Sequence, residues 1–323
     1  MKRLLIPLFV LIALGAGFYL YLANQRVDGP LTGLPVSRDI ANQRPVAVTL
    51  DNFSPDARPQ SGLAQASLVF ETLAEGGITR FMAVYLEHEA AKIGPVRSTR
   101  QYFNSWAAGL GVIFGHDGGN VDSLQELKGL STIYNEDNDL IHGPFYRTTD
   151  RAIPHNEYTS SAALRAYAES HGGKITGVAY SLPHKNNAPF ADRAAQQSIP
   201  VNFSSSAYNV EWQFDRAADD YQRFMGGTAH IDPQTGLQLT ASNVVVMQAV
   251  ESAAYDPFTP GAIHFRTEGT GPLTVYQDGK AISGTWSKSS IDAPLRWLDS
   301  RGNPIQLNRG ATWVEVLPQT SGG

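Results

Sequence analysis

The sequence predicts a protein of mixed α/β and α+β class, in which an N-terminal domain with a mixed sheet and helices precedes a mainly antiparallel β domain. Three observations lead to this prediction. In the first half, β-branched runs alternate with helical patterns, and in the second half short alternating runs are separated by turn dipeptides. An uncharged stretch near the N-terminus predicts a transmembrane helix. The length of 323 residues is typical of about two domains.

The N-terminal stretch combines a basic stub, residues 1–3, with twenty uncharged residues, 4–23. A helix of this length spans about 30 Å, the thickness of the hydrocarbon core of a bilayer. Because the apolar run continues past a small-residue cluster through residues 18–22 (FYLYL), it favours an uncleaved anchor over a signal peptide. The basic stub stays in the cytoplasm, so the expected location is the cell membrane, single-pass, with residues 24–323 extracytoplasmic.

The first domain is expected over residues 46–175, after a linker rich in glycine and proline at 24–45. Ser98 is the expected N-cap of its first helix. The expected strands are 46–50, 68–73, 81–86 and 111–114, and the expected helices are 98–108, 121–127 and 160–170.

The second domain is expected over residues 208–318, between a connection at 176–207 and a tail at 319–323. Its short runs alternate apolar and polar residues and are separated by turn dipeptides such as Asp278-Gly279. The expected antiparallel strands are 274–276, 284–286, 295–298 and 312–316.

Composition excludes several functional classes. With 25 Lys and Arg against 30 Asp and Glu, the chain lacks the basic surplus of a nucleic-acid binder. The absence of cysteine excludes disulfides, thiolate nucleophiles, iron–sulfur clusters and a lipidated cysteine. His116, His142, His155 and the acidic run 136–139 could together form a metal site, but no metal-binding motif supports it. The acidic run is interpreted as a solvated loop, and no metal or cofactor is expected.

The segment 94–100 (GPVRSTR) is the most informative motif. It places Arg97 and Arg100 at a predicted helix N-terminus, where the helix dipole already favours negative charge. Two arginines are unfavourable there unless an anion or nearby carboxylates neutralise them. The segment therefore predicts either a phosphate or carboxylate site or a set of structural ion pairs.

Two further segments carry candidate residues. Residues 116–120 (HDGGN) form a predicted strand-to-helix turn, in which a glycine would let backbone amides approach a ligand. Residues 145–156 form a proline-containing loop that is dense in charged and polar groups. The expected ligand-binding residues are Arg80, Arg97, Ser98, Arg100, Gly118, Arg147, Arg151, His155 and Asn156.

Glu71 and Glu75 are predicted to lie on one face of a strand, since they are four residues apart. They are candidates for general acid/base chemistry, or simply counter-ions for the arginines, which is the simpler interpretation. Glu75 and His116 are the candidate catalytic residues if the protein is an enzyme.

Six motifs resemble the YerB-like family of bacterial envelope lipoproteins, a family of unknown function. They are residues 58–63 (RPQSGL), 75–81 (EGGITRF), 93–100 (IGPVRSTR), 151–159 (RAIPHNEYT), 284–288 (GTWSK) and 310–314 (GATWV). The resemblance spans about residues 45–318. It implies an envelope location, and a transmembrane anchor would replace the lipid because no cysteine follows the apolar segment.

The leading hypothesis is a membrane-anchored envelope protein that binds an anionic ligand related to the cell wall, such as peptidoglycan or an anionic wall polymer. One alternative is an envelope enzyme that cleaves or transfers a phosphodiester or glycan. The other is a scaffold for another envelope protein whose identity the sequence does not indicate. No nucleic-acid partner is expected.

Overall fold

A computed structural model describes residues 26–141, 143–177, 180–254 and 256–319. The predicted transmembrane segment 4–23 lies outside these residues. Within the described ranges, none of the helices has the length and apolar character needed to cross a bilayer.

The α-helices of the described residues are short. They are α1 (Arg38–Ala41), α2 (Gln101–Leu110), α3 (Val121–Leu127), α4 (Asn138–Ile141) and α5 (Ser161–Ser170). Single 3₁₀ turns lie at Leu63–Gln65, Glu75–Gly77, Phe190–Asp192 and Ser206–Tyr208.

Strands make up most of the regular structure. The strands of the first half are β1 (Arg26–Asp28), β2 (Pro35–Ser37), β3 (Val46–Asp51), β4 (Leu68–Leu73), β5 (Thr79–Tyr85), β6 (Ile113–His116), β7 (Tyr134–Asp137), β8 (Tyr146–Arg147) and β9 (Glu157–Tyr158). Those of the second half are β10 (Ser198–Asn202), β11 (Asn209–Asp215), β12 (Asp220–Met225), β13 (Thr228–Ala229), β14 (Thr240–Ala241), β15 (Asn243–Ala249), β16 (Glu251–Ala253), β17 (Ile263–Phe265), β18 (Gly269–Gln277), β19 (Lys280–Lys288), β20 (Arg296–Asp299) and β21 (Thr312–Pro318).

A ten-stranded mixed sheet forms the centre of the fold, with strand order β20-β19-β18-β15-β21-β4-β5-β3-β6-β7. The predicted mixed sheet with helices, followed by a mainly antiparallel β region, is therefore confirmed. Strand β21, near the C-terminus, pairs in parallel with both β15 and β4. The sheet consequently runs without interruption from the first half of the chain into the second.

The packing of the first half explains its sequence pattern. Strands β3, β4 and β5 are buried along their whole length, which is why they read as continuous apolar runs rather than alternating ones. Helix α2 packs on this sheet through Tyr102, Phe103 and Trp106, and the Trp106 ring stacks on Phe70 with centroids 4.8 Å apart.

The candidate residues meet at one edge of the sheet. Strands β3, β6 and β7 are mutually parallel, so their carboxyl ends at Asp51, His116 and Asp137 lie side by side. Strand β5 is antiparallel to β3 and places Arg80 directly opposite Asp51. The carboxyl ends of parallel strands are where α/β proteins usually bind ligands.

Two local predictions near the start of α2 were wrong. Helix α2 begins at Gln101 with Arg100 as its cap residue, rather than at Ser98, because Arg97 and Thr99 are held extended by bonds to the Thr49 and Gly118 carbonyls. Glu75 is not on a strand, since β4 ends at Leu73 and Glu75 begins a 3₁₀ turn.

The acidic run 136–139 is not a solvated loop. Glu136 and Asp137 are buried at the end of β7, where parallel pairing with β6 draws them into the sheet. Residues 26–45, expected to be a linker, form the β1–β2 hairpin and α1. Leu31 is fully buried there, and its amide donates to the Glu87 carboxylate over 2.7 Å.

Candidate functional site

The candidate site is the group of charged side chains where β3 ends, β5 begins and α2 starts. We call Arg80, Arg97, Arg100, Asp51 and Glu75 the edge cluster. The extended segment before α2 presents Arg97 and Ser98 on the outside, where both side chains are half-buried.

Asp51 connects two of the expected ligand-binding residues. Its Oδ2 lies 2.8 Å from Nδ1 of His155 and 3.4 Å from Nε of Arg97. The His155 ring stacks on Phe53 with centroids 5.1 Å apart. Arg97 keeps 29% of its side chain exposed, so its guanidinium shares Asp51 but still faces solvent.

Arg100 and Glu75 form a bidentate pair. Both Arg100 Nε and Arg100 Nη2 donate to the Glu75 carboxylate over 2.6 Å, and Nη1 donates to the Thr99 carbonyl. Burial alone would raise the pKa of Glu75, but the hydrogen bonds and charge of Arg100 outweigh it and hold the pKa below its ordinary value. Arg100 is therefore neutralised within the protein.

Arg80 is different from the other arginines of the edge cluster. Only 7% of the residue is exposed, its Nη1 donates to the Ser98 carbonyl over 2.8 Å, and its Nε has no hydrogen-bond partner. Within the described ranges, no carboxylate oxygen lies within 4 Å of its guanidinium. Burial, reinforced by the charge of Arg100 and only partly offset by the charges of Asp51 and Glu75, lowers the pKa of Arg80 to about 10, so it remains a cation at neutral pH.

The edge cluster has a surplus of positive charge. Three arginines stand against two carboxylates, Asp51 and Glu75, which leaves a net charge of +1. Helix α2 adds to this, because its first turn contains no acidic residue and the Arg100 side chain does not cap it. The free amides of a helix N-terminus favour an anion. The arrangement can thus hold one small anionic group.

The loop arginines are engaged in internal contacts. Arg147 contacts the carboxylates of Glu157 at 2.6 Å and Asp117 at 3.5 Å, and it donates to the Asn156 side chain. Arg151 donates to the backbone carbonyls of Ala57 and Pro59 over 2.9 and 2.8 Å. The structure therefore brings Arg147 and Asn156 beside the edge cluster, whereas Arg151 fastens a neighbouring loop.

His116 and Gly118 hold the turn after β6. His116 is fully buried, with Nδ1 2.8 Å from the Gly118 carbonyl and Nε2 2.7 Å from Asn135 Oδ1. Gly118 has φ of +66°, and a Cβ there would lie 2.6 Å from Asp139 Oδ2. The Gly118 amide donates to Asp137 over 2.8 Å, so it is not available to a ligand.

Sequence reasoning missed a second charged group, Arg223, Glu71 and Glu315, which we call the core cluster. All three residues are fully buried. Arg223 Nη2 contacts Glu71 Oε2 and lies 3.9 Å from Glu315 Oε1, and its guanidinium lies over the Trp313 ring at 4.6 Å. Burial, together with the charge of Glu71, raises the pKa of Glu315 well above its ordinary value, which favours its neutral form.

One signal could have revealed the core cluster. Strand β12 alternates partly exposed and buried residues, and Arg223 shares the buried face with Tyr221 and Met225. An arginine at an inward position of an alternating strand requires an internal partner. Among the described residues, no three histidine, aspartate or glutamate side chains are placed to hold a metal.

Comparisons with known proteins agree with this fold. The family model described as "Protein of unknown function (DUF3048) N-terminal domain" matches residues 31–174, and its C-terminal counterpart matches residues 199–314. "Putative lipoprotein YerB" of Bacillus subtilis (strain 168) is 30% identical over 296 residues, covering 91% of this chain and 87% of the relative.

The crystal structure of the YerB protein from Bacillus subtilis superposes with a TM-score of 0.80 at 29% identity, covering 91% of this chain and 97% of that one. The expected resemblance to the YerB-like family is thereby confirmed. With both of its domains matched in order, the chain belongs to the DUF3048 family of proteins of unknown function.

Proposed function

We propose that this protein is an envelope protein that binds an anionic group, a phosphate or a carboxylate, at the N-terminus of α2. The observation that carries the proposal is Arg80, a buried cation that has no carboxylate within 4 Å among the described residues. A buried cation without a carboxylate in direct contact is unfavourable, and an anion bound beside it reduces that penalty.

Arg80 and Arg97 would make the principal contacts, and the Ser98 hydroxyl and the first amides of α2 would complete the site. Each hydrogen bond to a charged group contributes about 1.5–3 kcal/mol. Losing either arginine should therefore weaken binding by roughly ten- to a hundred-fold. Arg100 contributes long-range positive charge, since its donors are already occupied by Glu75 and Thr99.

The proposed location is extracytoplasmic, with the protein attached to the membrane. The Bacillus relative is named a putative lipoprotein. Because this chain contains no cysteine to carry a lipid, the apolar run 4–23 is the proposed anchor. Peptidoglycan or an anionic wall polymer is the proposed source of the anionic group.

The contacts support binding rather than catalysis by the residues expected to be acids or bases. Glu75 is held by two bonds from Arg100, and His116 is fully buried with both ring nitrogens next to oxygen atoms. A general acid or base must reach the proton that it transfers. Neither side chain meets that requirement without rearrangement of the edge.

Titration of the purified full chain with inorganic phosphate tests the proposal. Calorimetry should detect one site in the wild type and a ten- to hundred-fold weaker site in both Arg80→Met and Arg97→Gln. Arg301→Met is the matched control, because Arg301 is exposed on a distant turn. Equal affinity of wild type and Arg80→Met for phosphate and for wall fragments would refute the proposed site.

A further inference from the structure

A cavity of about 280 Å³ lies between the two halves of the chain, and none of the residues of the edge cluster lines it. The loop at 54–59 forms one wall through Pro55, Arg58 and Pro59. The end of β12 and the segment after it form the other wall through Met225, His230 and Ile231. The volume is at the lower end of the range of about 300–1,000 Å³ for ligand pockets, which suits a small ligand.

Arg58 provides a cation without a counter-ion at this cavity. Its Nε donates to Asn52 Oδ1 over 2.8 Å and its Nη1 to the Ala207 carbonyl over 2.7 Å, while Nη2 has no partner but is shielded from solvent, which leaves the second Nη1 proton and the charge of the guanidinium for a ligand. Its guanidinium lies 4.9 Å from the centre of the Tyr208 ring, which fixes its plane. In the part of the chain that the structure describes, no carboxylate oxygen comes within 4 Å of it.

The nearest candidate counter-ion is already engaged. Glu71 bonds to Arg223, and Asn52 lies between Glu71 and Arg58, with its Nδ2 3.4 Å from Glu71 Oε1. The charge of Glu71 therefore acts on Arg58 only from a distance.

His230 adds no charge to the cavity. Its Nδ1 lies 2.7 Å from Arg223 Nη1, and because arginine can only donate, Nδ1 is the acceptor. The ring proton is therefore on Nε2, which donates to Gln60 Oε1 over 3.0 Å. Arg58 is then the one charged group among the described residues that line the cavity, and the other walls are mostly apolar.

We propose that this cavity binds a carboxylate attached to a small apolar group. The carboxylate would pair with Arg58, and the apolar group would lie against the prolines, Met225 and Ile231. A free organic acid and the C-terminus of a peptide share this chemistry. The proposal is independent of the anion site at α2, because no residue belongs to both.

Three probes test the chemistry by NMR titration of the full chain: N-acetyl-leucine, its uncharged analogue N-acetyl-leucinamide, and acetyl-Gly-Gly-Leu. The two acids should bind at least ten-fold more tightly than the amide. Tighter binding of the peptide than of N-acetyl-leucine would identify a chain end as the ligand, and equal binding would identify a small acid. Equal affinity for acid and amide would overturn the proposal.

Two variants locate the site. Arg58→Met should weaken binding of N-acetyl-leucine at least ten-fold. Since Arg58 also holds Asn52, a second variant, Ala229→Phe, places a large ring at the exposed rim of the cavity while Arg58 itself is kept, and should abolish binding. The matched control Arg301→Met should bind like the wild type. Unchanged binding by Ala229→Phe, or competition by inorganic phosphate, would place the acid elsewhere and overturn the proposal.

Discussion

The core cluster and the edge cluster are built from the same residue types and differ in how their charges are balanced. In the core cluster, Arg223 faces two carboxyl groups, those of Glu71 and Glu315, the pKa of Glu315 is raised, and all three residues are shielded from water. In the edge cluster, the arginines outnumber the carboxylates, and Arg97 is partly exposed. A balanced and closed group can only stabilise the fold, whereas an open group with surplus charge has capacity for a ligand.

The largest expected effect comes from Arg223→Met. This variant leaves the Glu71 carboxylate buried without a counter-ion, which should lower the free energy of unfolding by about 3–5 kcal/mol. Denaturant unfolding measures the change, and the exposed Arg301→Met should stay within about 0.5 kcal/mol of the wild type. A loss below about 1 kcal/mol would show that the core cluster is not a tightly balanced ion pair.

The raised pKa of Glu315 predicts a pH dependence of stability. Its folded-state pKa lies above the ordinary value of 4.5, so the folded state binds more protons, and the stability of the wild type falls as pH rises from about 4.5 towards the raised pKa. Glu315→Gln removes this loss. Relative to the wild type, its stability should rise progressively as the pH increases above about 4.5. If the free energies of unfolding of the two proteins changed with pH in parallel, the raised pKa of Glu315 would be contradicted.

Unlike Arg223→Met, Arg80→Met should not lower the free energy of unfolding. Removing a buried cation that has no counter-ion should leave the free energy of unfolding unchanged or raise it by up to about 1 kcal/mol. Phosphate should raise the melting temperature of the wild type but not of the variant, because only a protein that binds the ligand is stabilised by it. A large loss of stability without phosphate would make the edge cluster a second structural network.

Glu75→Gln removes one of the two carboxylates of the edge cluster. It leaves Arg100 with one hydrogen-bonding oxygen and no counter-ion, and should reduce the free energy of unfolding by about 1–2 kcal/mol. It also raises the local surplus charge from +1 to +2. Phosphate affinity should therefore increase roughly three- to ten-fold, measured by calorimetry. Weaker binding in this variant would mean that Glu75 itself contacts the ligand.

Regular elements with a clear periodicity were predictable from the sequence. Strand β4 at Leu68–Leu73 and helix α3 at Val121–Leu127 have the predicted bounds, because an apolar run and a helical period are local properties. The helix near Ser98 was displaced to Gln101, since bonds to the distant Thr49 and Gly118 carbonyls hold its predicted first turn extended. Local propensity does not contain such tertiary contacts.

The composition of the candidate site was predictable, but its pairing was not. The segment 94–100 indicates that its arginines need anions. Arg100 pairs with Glu75, whereas Arg80 contacts no carboxylate directly. This difference depends on which strand ends are adjacent in the sheet. The core cluster joins β4, β12 and β21, which lie far apart in the chain and belong to two different sheets, so only the tertiary packing reveals it.

A crystal structure of the protein soaked in phosphate, inspected beside Arg80 at the N-terminus of α2, tests most directly whether the edge cluster binds an anion. Tetrahedral density is expected within hydrogen-bond distance of the Arg80 guanidinium and the first amides of α2. This density should be lost in Arg80→Met. If no density were found at that position at saturating phosphate, with the edge cluster unchanged, the proposed anion site at the edge cluster would be wrong.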